Sequence, residues 1–312
     1  MTPLIEVRRL TKKFSANSRV LTALDDISFS IRQGEALGIV GESGCGKSTL
    51  GKCLLHLYQP TSGEIHFDGN NLGSLSSQKL KALRRKMQMI FQDPYSSLNP
   101  RMRVREIISE GLQIHHLNQP GKIEELMAQV GLNPSFLTRY PREFSGGQRQ
   151  RIGIARALAV DPMFLVCDEP TSALDVCTQA TILKLLKDLK TNMGLTYLFI
   201  SHNLNAVEYI ADRIAVMYLG KIVETASTQV LIKQPLHPYT KALFSAIPIP
   251  DPKIEKSRAK LTLVGEVPSP FQLPTGCPFH TRCPNVLPIC KKETPQLKEV
   301  SANRLVACHL YP

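Results

Sequence analysis

The run Gly41-Glu42-Ser43-Gly44-Cys45-Gly46-Lys47-Ser48-Thr49 constrains this chain more than any other stretch. It fits G-x-x-x-x-G-K-[ST], follows the apolar run Ala36 to Val40, and leads into a helix-compatible run from Lys47 onward. The glycines let the backbone turn with its amide hydrogens inward, and the start of a helix adds partial positive charge, so the loop is a cradle for phosphate. Lys47 is placed to reach the outer phosphates of ATP, and Ser48 to give an oxygen to Mg2+. A loop of this kind sits between a strand and a helix, which points to an α/β fold.

A second apolar strand, Phe164 to Cys167, ends in Asp168 and Glu169. That position is the carboxyl edge of a parallel sheet, where open α/β folds bind ligands. Asp168 suits the magnesium sphere, and Glu169 suits a base that polarises the attacking water. Taken alone, two adjacent acids at a strand end suit a helix cap equally well. Beside the Gly41 loop, the catalytic reading takes precedence.

At 312 residues the chain has room for one large domain with an appendage or for two ordinary ones. Hydrophobic residues at 43% and charged residues at 21% are ordinary for a globular protein, and no apolar run nears the ~18 residues of a membrane span. Met1 to Arg9 carries no secretion signal, so the cytosol is expected. The net charge of +12 would admit a polyanion as partner, but the basic residues are dispersed. Their densest cluster, Arg84, Arg85 and Lys86, reads as one solvated helix face, and no specific nucleic acid is expected.

Strands are expected near Leu4 to Leu10, Ile27 to Ile31 and Glu64 to Phe67, then as buried parallel strands at Ala36 to Val40, Met163 to Cys167 and Thr196 to Ile200. Arg213 to Thr225 reads as a hairpin turning at Leu219-Gly220. Between Asp93 and Asp161 helical spacing replaces the strands, as in Ile123, Leu126, Met127 and Val130, which suggests a helical insertion. Thirteen of the 22 prolines lie from Pro235 to Pro312, leaving little room there for long helices or central strands. A boundary near residue 235 follows, with a domain at 1–235 and an extension at 236–312.

With these motifs in hand, the chain resembles the ATP-binding subunit of an ATP-binding-cassette (ABC) transporter over residues 1 to about 235. After the Gly41 loop, Gln92 is placed like the family's Q-loop glutamine. Phe144-Ser145-Gly146-Gly147-Gln148 is similar to the signature sequence. Asp168 and Glu169 match the family's acidic pair, Ser172-Ala173-Leu174-Asp175 the D-loop, and His202 the switch histidine. The resemblance implies a P-loop NTPase fold with an N-terminal antiparallel β subdomain, a helical insertion and a Pro/Cys-rich C-terminal extension. It also implies two subunits closing head to tail, each ATP lying between the Gly41 loop of one and the Ser145 signature of the other. Gln92 would touch magnesium or the lytic water, His202 hold the γ-phosphate, Asp175 bridge the subunits, and Phe14 stack on adenine. The chain departs from the usual pattern at Phe144, where Leu is common, and at Phe14, where Tyr is common.

The run Met89 to Arg101 and the string His237-Pro238-Tyr239-Thr240 are closer to the oligopeptide, dipeptide and nickel importers than to ABC subunits generally. Membership there implies a second ATPase subunit, commonly a paralogue, two membrane-spanning permease subunits and an extracytoplasmic solute-binding protein. The chain itself would sit on the cytoplasmic face of the inner membrane. The loop after Gln92 would help to dock the permease.

Cys277, Cys283, Cys290 and Cys308 all fall in the last 36 residues. This segment is similar to the cysteine segment of peptide-importer ATPases, some of which carry a 4Fe-4S cluster. The spacing C-x5-C-x6-C-x17-C lacks the C-x2-C knuckle usual for structural zinc, so the cluster is favoured over Zn2+, with unligated thiols as a third option. Cys45, Cys53, Cys167 and Cys177 read as small buried thiols. A soluble ABC-type ATPase acting on nucleic acid or ribosomes is the principal rival reading. Against it stand the single motif set and the short distance from Gln92 to Ser145. A small P-loop kinase would have no use for the signature or for His202.

Overall fold

The computed structural model describes residues 2–16, 19–117, 120–246 and 265–311. The chain enters as a long antiparallel ribbon, β1 (Ile5–Ala16) against β2 (Arg19–Ile31), with Ile5 opposite Ile31 and Ala16 opposite Arg19. Its register shifts three times between Val7 and Lys13, and each irregularity adds twist. The ribbon is longer than expected because Thr11 to Ala16 and Arg19 to Leu24 carry polar residues on both faces, which hides the alternation of a half-buried strand.

Next come β3 (Ala36–Val40), α1 (Lys47–Leu54), β4 (Ser62–Phe67), the two-residue β5 (Asn70–Asn71), α2 (Ser77–Lys86) and β6 (Met87–Ile90). Strands β2-β1-β4-β5 form one antiparallel sheet in that order. The insertion follows as α3 (Val104–Ile114), α4 (Lys122–Gln129) and α5 (Gly146–Leu158), and then β7 (Phe164–Asp168), α6 (Val176–Met193), β8 (Thr196–Ile200) and α7 (Leu204–Ile210). The hairpin β9 (Arg213–Tyr218) and β10 (Lys221–Ser227), α8 (Thr228–Lys233), α9 (Pro238–Ser245), β11 (Lys298–Ser301) and β12 (Arg304–Val306) complete the described strands and α-helices. The second sheet runs β11-β12-β10-β9-β3-β8-β7-β6. Strand β3 pairs in parallel with β8 on one side and β9 on the other, so the Gly41 loop leaves the middle of the sheet.

All five residues of β3 are buried because both faces of the sheet are covered. Leu37 and Ile39 join the core under the antiparallel sheet, with Ile5, Leu24 and Phe67, whereas Ala36 and Val40 join the core beneath the helices, with Ile107, Ile152 and Phe199. Strand β6, unrecognised in the sequence, has only four residues and pairs in parallel with β7 at the sheet's edge.

The division expected near residue 235 falls between α8 and α9, and beyond it the chain returns to the same sheet. Glu224 of β10 lies opposite Val306 of β12, and Ala307 N–H donates to Val223 O at 2.8 Å. Short edge strands are where a proline-rich segment can still pair. Glu224, fully buried, accepts from the backbone N–H groups of Leu236 and His237 and pairs with Arg304 at 3.2 Å. Residues 247–264, a stretch of the proline-rich extension, lie outside the described residues.

Candidate active site

The Gly41 loop is shaped by contacts that only glycine permits at two points. A Cβ on Gly41 would stand 2.2 Å from the Met217 carbonyl oxygen, and one on Gly46 (φ 105°) 2.3 Å from that of Ala23. The loop is thereby pinned between β9 and β2, with α1 starting at Lys47. Lys47 is 6% exposed, and its Nζ donates to the carbonyls of Gly41 at 2.8 Å and Glu42 at 3.0 Å, so it lies along the loop's inner curve. Cys45 is buried beneath it, its Sγ 3.8 Å from Nζ, while Ser43 and Gly44 are exposed at the tip. Thr49, like Ser48, is half-buried in the first turn of α1.

Ser48 Oγ donates to Asp168 Oδ1 at 2.9 Å, joining the loop to the end of β7. Burial pushes the Asp168 carboxyl above its ordinary range, against the downward pull of the Ser48 hydrogen bond and of Lys52 and Lys47, with the Glu169 charge adding to the rise. A divalent cation would relieve that cost, and a hydroxyl beside a carboxylate is a hard oxygen pair that fits Mg2+.

Glu169 has φ 47°, a left-handed conformation unusual for a carboxylate residue, and it turns the chain out of β7. Its N–H donates to Ile200 O at 2.9 Å, while its carbonyl accepts from Ser172 Oγ. Its Oε2 accepts from Gln92 Nε2 at 3.1 Å and meets His202 Nδ1 at 2.9 Å. Glu169, expected to polarise the lytic water, Gln92, expected at magnesium or that water, and His202, expected at the γ-phosphate, are 77 and 33 positions apart along the chain yet meet at one carboxylate oxygen. Glu169 is 15% exposed on its side chain and His202 61%, so the group sits at an open edge. The helix-cap alternative belongs instead to Asp175, whose carboxylate accepts from Thr178 N–H at 3.0 Å and from its hydroxyl at 2.6 Å to begin α6. Those bonds hold the Asp175 carboxyl below its usual range.

Ser145 starts α5 with a reciprocal cap: its Oγ accepts from Gln148 N–H, and Gln148 Oε1 accepts from Ser145 N–H at 3.0 Å. Leu174 and Tyr95 are the side chains nearest Gly146, and Thr178 is nearest Gly147, where a Cβ would meet its methyl at 2.4 Å. The signature is thus set against the D-loop. Phe144 is 5% exposed and packs edge-on against Phe136 at 5.7 Å, so an aromatic ring fills this pocket where Leu is common. Phe14 lies inside β1, beyond the strand expected at Leu4 to Leu10. It contacts Tyr58 edge-on at 5.4 Å, with Lys12 Nζ 4.8 Å from its centroid.

Some expectations change. Cys177 is exposed in the first turn of α6, where the helix start faces solvent, whereas Cys45, Cys53 and Cys167 are buried. Arg84 and Arg85 are not a solvated basic face, because they donate to the carbonyls of His56 and Val160. The four C-terminal cysteines gather in one region: Cys277 N–H donates to Cys290 O, and Cys290, Cys308 and Cys283 each act electrostatically on the Cys277 thiol. Burial pushes that thiol up to about 11 and raises Cys283 and Cys308 as well. Metal binding requires thiolates, and among the described residues no three His, Cys, Asp or Glu side chains are arranged to hold a metal ion. The expected ligand set is therefore not formed in this geometry.

Two contacts had no signal in the sequence. Tyr239 OH accepts from Glu42 N–H at 2.9 Å, and Arg282 pairs with the Glu42 carboxylate at 2.8 Å, so the extension touches the phosphate loop.

The fold and the site together define a P-loop ATPase. A family model described as ABC transporter matches residues 24–172, and one described as Oligopeptide/dipeptide transporter, C-terminal region, matches 223–290. The chain is 56% identical over 315 residues to the putative oligopeptide transport ATP-binding protein YkfD of Bacillus subtilis (strain 168), covering 99% of this chain and 96% of that protein. It is 50% identical over 320 residues to the oligopeptide transport ATP-binding protein AppF of the same organism, covering 99% and 97%. Among solved structures, the dimeric ATP-binding cassette MJ0796 bound to ADP and Pi superposes with a TM-score of 0.66 at 29% identity, covering 72% of this chain and 98% of that one. The cbiO1 subunit from Clostridium perfringens gives 0.67 at 26%, covering 75% and 92%. This chain belongs to the ABC transporter family, as one of its ATP-hydrolysing subunits.

Proposed function

We propose that this chain hydrolyses ATP to energise the import of oligopeptides or dipeptides across the cytoplasmic membrane. The observation that carries the reading is the convergence of Gln92 and His202 on Glu169, beside the Ser48–Asp168 pair. The peptide class is supported by the names of the relatives and by the family model over 223–290. Nickel or another small solute of the same importer group is the alternative.

In this reading the Gly41 loop and Lys47 hold the phosphates. Ser48, Asp168 and Gln92 furnish oxygens for Mg2+, whose chemistry is to neutralise charge on the phosphates. Glu169 takes the proton of the attacking water, and Gln92 and His202 hold its carboxylate in place. Phe14 offers a ring for adenine. Ser145, Gly146, Gly147 and Gln148 serve a second ATPase subunit, most simply a paralogue, and Asp175 stands at that interface.

The chain would be peripheral, on the cytoplasmic face of the inner membrane, with two permease subunits and an extracytoplasmic solute-binding protein. Among the described residues no helix is long and apolar enough to cross a membrane. The permease contact is supported by a cleft of about 290 Å³ lined by Leu57, Phe91, Ile114 and Arg156, in which Leu57 and Ile114 are about half exposed. Ile114→Asp is expected to abolish co-purification of the membrane subunits while ATP binding stays at the parent level. Retention of those subunits by the variant, or enrichment of RNA in their place, would sink this reading.

The contact of Cys277 with Cys290 supports a second, separate proposal, that a 4Fe-4S cluster or Zn2+ binds at Cys277, Cys283, Cys290 and Cys308. Metal analysis of anaerobically purified chain decides it. About four irons per chain with visible absorption is expected for the cluster and stoichiometric zinc for the alternative, whereas neither metal would establish plain thiols.

A further inference from the structure

Glu42 is the acidic residue of the Gly41 to Thr49 loop, and a carboxylate there has the wrong sign for a site that gathers phosphate. The fold answers it from the far end of the chain. Arg282 Nη1 donates to Glu42 Oε2 at 2.8 Å and Nη2 to Oε1 at 3.0 Å, a two-point fork between guanidinium and carboxylate. The Arg282 side chain is 7% exposed and that of Glu42 28%, so the pair is shielded from solvent on one side.

The same loop residue is held twice more, by Tyr239 OH on its N–H and by Lys47 Nζ on its carbonyl. Behind the fork, Tyr218, Tyr239 and Phe279 pack ring against ring at 4.7 to 5.5 Å and fix the angle at which Arg282 arrives. Tyr218 OH accepts a further, longer bond from Nη1 at 3.4 Å. His237, 1% exposed, accepts from Tyr239 N–H and so starts α9, the helix that delivers Tyr239 to the loop.

We propose that Arg282 is a positioning residue for ATP: by pairing with Glu42 it cancels the negative side chain of the phosphate loop, so that the C-terminal extension sets the affinity for the nucleotide's phosphates. This rests on the reading of the Gly41 loop as the phosphate site, and Lys47→Ala tests that reading separately. The measurement is equilibrium binding of a fluorescent ATP analogue with Mg2+ to the full-length chain, with thermal unfolding followed in parallel.

Arg282→Ala uncovers the carboxylate and is expected to weaken binding about tenfold, less at high salt, where the repulsion is screened. Arg282→Lys, which keeps the charge but loses the fork, falls between parent and Arg282→Ala. The deciding variant adds Glu42→Gln to Arg282→Ala: with no charge left to neutralise, binding returns to within about threefold of the parent. Glu42→Gln alone, needed if Arg282→Ala does not fold, binds at least as tightly as the parent. The proposal is overturned if Arg282→Ala binds normally while Lys47→Ala does not, if the double variant stays as weak as Arg282→Ala, or if Glu42→Gln alone weakens binding. Normal binding by Lys47→Ala would instead remove the phosphate-loop reading itself.

Discussion

Glu169→Gln is expected to bind ATP with near-parental affinity and to lose turnover by about 10²- to 10⁴-fold, the usual contribution of a positioned base. The amide keeps an oxygen where Glu169 Oε2 now meets Gln92 and His202, so the local geometry survives. What disappears is the charge that draws a proton from water. Nucleotide should then accumulate uncleaved, holding two subunits closed around it, and a shift to a larger sedimenting species with Mg-ATP reports this directly. Parental turnover in the variant would remove Glu169 from the role of base.

Ser145→Arg separates the two halves of the proposed composite site. The serine lies beside Leu174 and Tyr95 through its neighbour Gly146, and in the proposed dimer it serves the partner's phosphate loop. Its substitution is therefore expected to leave nucleotide binding by the isolated chain within about twofold of the parent. In the assembled transporter, a bulky cation at the start of α5 would block the partner's nucleotide and should lower ATP turnover by about 100-fold, as loss of a preorganised anion site does. Weakened binding in the isolated chain would mean that the signature serves its own loop. Normal turnover in the assembly would mean that it serves neither.

The phosphate loop, the acidic strand end and the parallel strands were legible because each couples a chemical need to a local pattern. Gly41 and Gly46 stand where a side chain would collide with backbone, and β3, β7 and β8 are short apolar runs buried on both faces. The convergence on Glu169 was legible only through the order of motifs, since nothing local ties Gln92 or His202 to it. The outer half of the β1–β2 ribbon was hidden by polar residues on both faces, and β6 by its brevity. The Arg282–Glu42 fork spans 240 positions, and no spacing rule reaches that far. The cysteine spacing suggested a metal ligand set, whereas burial pushes Cys277, Cys283 and Cys308 toward their protonated forms.

The braces on Glu42 also impose an order in time. A ribosome delivers the Gly41 loop early, Tyr239 only 197 residues later and Arg282 only 240 residues later. Strand β12 joins the sheet beside β10 later still. The phosphate loop is therefore synthesised well before its braces, so a chain still on the ribosome carries the loop without the contacts that hold it.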